Sequence, residues 1–184
     1  MKIAFLTILA CSMFGGSVFL GLDPSSPCIC TVINPGSVQA NLMTFKVTNV
    51  NIEPVSLKQL DFFFTYDGGG RLLNNINLYD GATLVAPADG IAALDGVLIP
   101  ANTVKLFVLR ADYAGPVGAH VTPSITGGLT QNISTGYEHH IYHGIVGIPR
   151  TLSDGDPTSV PEPGTFVMFV IGAGIITIAL KRQK

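Results

Sequence analysis

In the stretch Leu57–Tyr66, the residues Leu60, Phe62, Phe64 and Tyr66 recur at every second position. Only an extended strand places alternate side chains on one face; on a helix the apolar positions would recur at three and four. The pattern predicts a strand with one face buried. Asp67-Gly68-Gly69-Gly70 ends it, because glycine supplies the positive φ angles of tight turns. Ile76 and Leu78 alternate with Asn75 and Asn77 ahead of Asp80-Gly81. Val104–Ala111 (V-K-L-F-V-L-R-A) is apolar on both faces, the pattern of an interior strand. Val38–Val50 alternates too but slips phase at Leu42-Met43, where a β-bulge fits. Thr83–Ala86, Ile91–Ile99, Ala119–Ile125 and Tyr137–Val146 are further strand candidates. Strands spaced by about ten residues, with no amphipathic helix between them, predict an all-β fold: an antiparallel β-sandwich, Ig-like or jelly-roll-like.

The two ends of the chain follow other rules. Met1-Lys2 precedes an apolar stretch from Ile3 to Phe14, followed by Gly15-Gly16-Ser17. One cation, an apolar region and small residues beyond it describe a secretory signal peptide over residues 1–17. At the other end, V-P-E-P-G-T leads into an uncharged apolar run, Phe166–Leu180, closed by Lys181-Arg182-Gln183-Lys184. The prolines keep the segment before the run extended. As a helix the run rises roughly 23 Å, short of the ~30 Å hydrocarbon core but within reach of snorkelling or bilayer thinning. A single C-terminal transmembrane helix is therefore expected. Lys181, Arg182 and Lys184 would act as its cytoplasmic stop, with everything before it outside. Between the ends about 120 residues remain, enough for one domain with a core. The net charge is −2, and Lys and Arg are scattered singly, which leaves no electrostatic footprint for nucleic acid.

The C-terminal segment resembles the PEP-CTERM sorting signal of Gram-negative bacteria: a Pro-Glu-Pro motif, a short transmembrane helix and a basic end. The motif residues here are Pro161, Glu162 and Pro163, and the resemblance covers only the last 25 residues. The run is richer in Phe and Ile than the usual Leu/Ala-rich version, and Gln183 interrupts the basic cluster. The resemblance implies export, transient membrane anchoring and processing by an exosortase, a membrane-embedded cysteine transpeptidase-like enzyme. It further implies an association with exopolysaccharide and biofilm. It says how the chain is handled and leaves the body's role open.

Three cysteines are present. Cys11 falls in the signal peptide, where Ile8-Leu9-Ala10-Cys11 is an imperfect lipobox. Cys28 and Cys30 are spaced C-x-C, for which a disulfide is strained but permitted by export. An oxidised or intermolecular couple ranks first, free thiols second and a metal site last, since two thiols fall short of the usual four ligands.

Three constellations in the body could carry chemistry. Glu138-His139-His140, with His143 close behind, would share a metal on a helix; on a strand His139 and His143 lie roughly 13 Å apart, too far for one ion. His120 stands alone and is expected to pack or hydrogen-bond. Asp67, Asp80, Asp89, Asp95 and Asp154 each precede Gly, with Asp156 following the last. Loop carboxylates can hold calcium, but Asp-Gly is first a turn signal. Tyr113, Tyr137 and Tyr142 could offer a stacking surface to a sugar. Asn132-Ile133-Ser134 is a glycosylation sequon, meaningful only where that machinery exists.

No nucleophile–base spacing, acid/base pair or phosphate loop is visible, so the expectation is a non-enzymatic protein without cofactor or metal. It would have a structural or adhesive role at the cell surface or in the extracellular matrix. Alternatives are a secreted glycan-binding module or a metal-dependent hydrolase. The expected layout is a signal peptide (1–17), a body (18–148, irregular to about residue 36), a linker (149–159) and the sorting segment (160–184).

Overall fold

The structure, a computed structural model, describes residues 18–27, 33–67 and 70–152. Among these residues eleven strands run in chain order: β1 (Val18–Leu22), β2 (Ala40–Asn49), β3 (Val55–Asp67), β4 (Leu73–Asp80), β5 (Thr83–Pro87), β6 (Ile91–Ile99), β7 (Thr103–Tyr113), β8 (His120–Asn132), β9 (Glu138–Ile141), β10 (Ile145–Val146) and β11 (Arg150–Thr151). Among the described residues there is no helix, hence none long and apolar enough to cross a membrane. The strands form two sheets, and every strand pair is antiparallel. The first has the order β1-β2-β7-β4-β5. The second has the order β10-β8-β3-β6, with β9 and β11 also on β8. Short β11, β10 and β9 lie end to end along one edge of β8, opposite His120–Val121, Ser124–Ile125 and Gly128–Gln131.

Period-2 alternation decides which face of each strand is buried. In β3, Leu60 and Phe62 are buried and Phe64 and Tyr66 half-buried, while Phe63 between them is exposed. The row anticipated from the sequence is therefore an inward row. In β7, Phe107, Leu109, Ala111 and Tyr113 point inward. Phe45 of β2 stacks on its cross-strand partner Phe107, ring centroids 5.6 Å apart at 21°. It also meets Phe62 of the other sheet edge-on, at 6.3 Å and 67°. Each such pair is worth about 0.5–1.5 kcal/mol beyond the area it buries. One core thus joins the two sheets.

The bulge anticipated at Leu42-Met43 is present: the β2–β7 ladder shifts between Asn41 and Met43. The extra residue lets Leu42 and Met43 both be buried, at 1% and 0% exposure, where strict alternation would expose one. β7 does lie inside its sheet, flanked by β2 and β4. Its second apolar face is not covered, however, and Val104 and Leu106 stand in solvent.

Other expectations are corrected. Residues 18–22, expected to be irregular, form β1 on the edge of β2, with Val18 buried. Tyr137–Val146 is two strands, not one, because pairing with β8 is interrupted at Tyr142–Gly144. A Cβ at Gly144 would run into the Ile125 carbonyl, so only glycine allows this close approach. The linker begins later than Pro149. Arg150 and Thr151 pair with β8, and Arg150 and Leu152 are buried, so these residues belong to the core. The signal-peptide residues 1–17, Cys28, Cys30, Asp154, Asp156, the Pro161-Glu162-Pro163 motif, the expected helix Phe166–Leu180 and the basic residues Lys181, Arg182 and Lys184 lie outside the described residues.

Because Phe62 bridges both sheets, Phe62→Ala should lower unfolding free energy by about 3–5 kcal/mol, the usual range for emptying an aromatic core site. Urea unfolding measures this, and an unchanged midpoint would contradict the assigned register.

Candidate functional site: a polar cleft beside the β4 bulge

The β4–β7 ladder steps from Asn74 opposite Asp112 to Asn77 opposite Arg110, so β4 carries one extra residue there. Such bulges re-aim side chains and recur next to binding sites. Asn75, inside the bulge, has φ +48°, and Gln39, just before β2, has φ +50°. For residues other than glycine this left-handed region costs about 1–3 kcal/mol and persists only where the surroundings hold it. Asp112 of β7 holds both. Its Oδ1 accepts from the Gln39 backbone N–H at 2.7 Å and from Gln39 Nε2 at 3.1 Å, and its Oδ2 accepts from Asn75 Nδ2 at 2.5 Å.

The amides then bind each other. Gln39 Nε2 donates to the Asn75 carbonyl at 2.9 Å, as does Asn77 Nδ2 at 3.0 Å. Gln39 Oε1 accepts from Tyr79 Oη at 2.9 Å. The Arg110 guanidinium lies 4.8 Å above the Tyr79 ring, a cation–π contact. On the far side Arg71 donates through Nε to the Leu73 carbonyl and through Nη2 to Asp89 Oδ2, at 2.8 and 2.5 Å. Between these groups lies an open cleft of about 1010 Å³, with Asn74 and Asn75 exposed, Ile76 buried beneath them and Pro87 exposed at one side.

Hydrogen bonding from the Asn75 amide first, and from the Gln39 backbone N–H second, holds the Asp112 carboxyl below the usual carboxylate value. The hydrogen bond to Asp89 raises the Arg71 guanidinium further. The cleft therefore presents donors and acceptors on a frame held by Asp112, with the Arg71–Asp89 ion pair on its wall.

The residues singled out from sequence distribute differently. His139 lies in β9, His140 is exposed with its ring 5.8 Å from that of Tyr142, and His143 follows beyond the strand. His120 Nδ1 is 2.9 Å from Thr151 Oγ1, the hydrogen bond expected of it. Among the described residues no three His, Cys, Asp or Glu side chains converge as a metal site would require. Asp80 pairs with Lys105 at 2.8 Å, and Asp89 belongs to the cleft. Asp67 ends β3 and Asp95 lies within β6. Ser134 of the sequon donates to Glu53 and to Asn132. The three tyrosines separate: Tyr137 and Tyr142 are 72% and 81% exposed, whereas Tyr113 is in the core at 2%. Burial pushes the Tyr113 phenol up, partly offset by the Arg150 guanidinium beside it. Of the cleft, sequence reasoning had singled out only Asp89. Asn75 and Asn77 read as the wet face of a strand, and nothing local connects Gln39 or Asp112 to them.

The family comparison concerns the other end of the chain. Residues 159–183 match the PEP-CTERM protein-sorting motif. The C-terminus is an exosortase sorting signal. A chain with this motif is exported, held as a membrane-anchored precursor and recognised by an exosortase. No curated protein matches the chain.

A carboxyl whose value is depressed on folding adds stability that is complete above its unfolded value and lost as pH falls through the folded one. Asp112→Asn should therefore destabilise the body at neutral pH. The gap from wild type should begin to narrow below about pH 4, the unfolded value, and close only once pH has fallen through the lower value that the folded carboxyl holds. Urea titrations at several pH values measure the gap; one that stays constant from pH 7 to pH 2 would contradict the clamp.

Proposed function

We propose that this chain is a non-enzymatic cell-surface or extracellular-matrix protein with a structural or adhesive role, associated with exopolysaccharide or biofilm. The observation that carries the reading is the PEP-CTERM sorting motif over residues 159–183. The body is read as a β-sandwich: two antiparallel sheets share one core through Phe45, Phe62 and Phe107. Such a body suits an exported role, because its backbone polar groups are paired within sheets and its interior is apolar. The cleft beside the β4 bulge is lined by amides, Arg71, Asp89, Ile76 and Pro87 and by no imidazole, so it does not favour the metal-dependent hydrolase alternative.

In the proposed handling, a signal peptide directs export and the apolar run Phe166–Leu180 holds the body at the membrane. The basic residues Lys181, Arg182 and Lys184 stop transfer, because carrying a Lys or Arg to the bilayer centre costs about 2.5–3.5 kcal/mol even on the mildest scale. Pro161-Glu162-Pro163 offers the exosortase an extended segment, as two prolines bar helix there. Mass spectrometry of the surface protein from a host with an exosortase tests this. The wild type should end near the motif and lack Lys184, and Glu162→Ala should keep its tail. Intact Lys184 on the mature wild type would reduce the segment to an ordinary anchor.

A further inference from the structure

We infer that the cleft beside the β4 bulge is a binding site for uncharged saccharide units, a step that rests on reading the body as an adhesive surface domain. Three features of the cleft select this ligand class. The first is charge. Of the residues that line the cleft only Arg71 and Asp89 are charged, and they pair with each other. An anionic ligand would have to compete with Asp89 for Arg71 and a cationic one with Arg71 for Asp89, so a neutral ligand fits best.

The second is hydrogen-bonding character. Asn74 and Asn75 are exposed and carry both donors and acceptors on one planar group, Asn77 lines the cleft beside them, and the half-exposed Arg71–Asp89 pair adds one of each kind. Hydroxyl groups are the ligand atoms that also donate and accept at once, and adjacent hydroxyls on a sugar ring match such paired groups. Pro87, exposed at the side of the cleft, offers an apolar surface to the C–H face of a ring.

The third is rigidity. Gln39 and Asn75 are held in left-handed conformations by one carboxylate, so their amides are ordered before any ligand arrives. Binding then costs less side-chain entropy, which matters for weak polar contacts. At about 1010 Å³ and open to solvent, the cleft suits a segment of a chain better than an enclosed small molecule. The exposed tyrosines Tyr137 and Tyr142 flank β9 in the other sheet, so they form a separate surface.

Affinity electrophoresis of the full-length chain in detergent tests the assignment. The gels carry galactomannan, dextran or a mixed-linkage β-glucan, and alginate serves as the anionic comparison. Wild type should be retarded by at least one neutral polymer and not by alginate. Asn75→Gly removes the amide yet accepts the φ of +48° without strain. It should weaken retardation at least tenfold while leaving the melting temperature within a few degrees of wild type. Asn77→Ala should weaken it as well. Retardation by alginate alone, or by no neutral polymer, would overturn the ligand class. Retardation unchanged in both variants would overturn the site and place binding elsewhere, with Tyr142→Ala as the next variant. None of these outcomes bears on tail processing, so a chain trimmed at its C-terminus that binds no glycan would keep the sorting reading and lose this one.

Discussion

The contact of Phe45 with Phe62 and Phe107 is the interaction on which the rest of the body depends. Each sheet has one apolar face that must leave water, and neither sheet can cover its own. Phe45 stacks within its own sheet and meets the other edge-on, so one residue couples both layers. Once these faces are fixed inward, alternation turns the residues between outward: Phe63 is exposed beside buried Phe62, and Leu106 beside buried Phe107. The bulges at Leu42 and in β4 are two of the places where the chain departs from alternation, and each has a consequence. The first adds a second consecutive core residue. The second builds the cleft.

The cleft also follows from sheet order. β7 lies between β2 and β4, which brings Asp112 level with the start of β2 and with Asn74 of β4. Gln39 and Asn75 are 36 positions apart in the chain, yet the Gln39 side chain donates to the Asn75 carbonyl. The strain of two left-handed residues is offset by hydrogen bonds to a carboxylate, which are stronger than those between neutral groups. Cleft and sorting tail divide the labour in this account: the tail sets where the protein goes, and the cleft supplies what it holds there.

Much of the fold was legible in the sequence because alternation is a local signal. The inward row of β3, the limits of β6 and the Leu42 bulge could all be read from side-chain period. β1 was not, since its five residues follow directly on an apolar stretch that reads as an export signal. Arg150–Leu152 was missed because a polar, proline-flanked stretch resembles a linker, whereas Arg150 is buried in the fold and Leu152 bonds back to the Ala119 carbonyl. The cleft could not be read at all. Its donors and acceptors come from separate strands, and only pairing brings them together. Aromatic and histidine residues attracted attention for their chemistry, yet Tyr113 serves the core and the histidines do not converge.

Asp112 locks the cleft in place through its hydrogen bonds to Gln39 and Asn75. The backbone N–H of Gln39 lies outside any strand and is part of no sheet ladder. An amide in such a position ordinarily exchanges with solvent as freely as a loop does. Native-state hydrogen exchange by NMR reads it directly. If Asp112 holds it, the Gln39 amide should exchange as slowly as the amides of β2 and β7 beside it. Exchange at the rate of an unprotected loop would show that the amides are not held in place, and the preformed cleft would have to be abandoned.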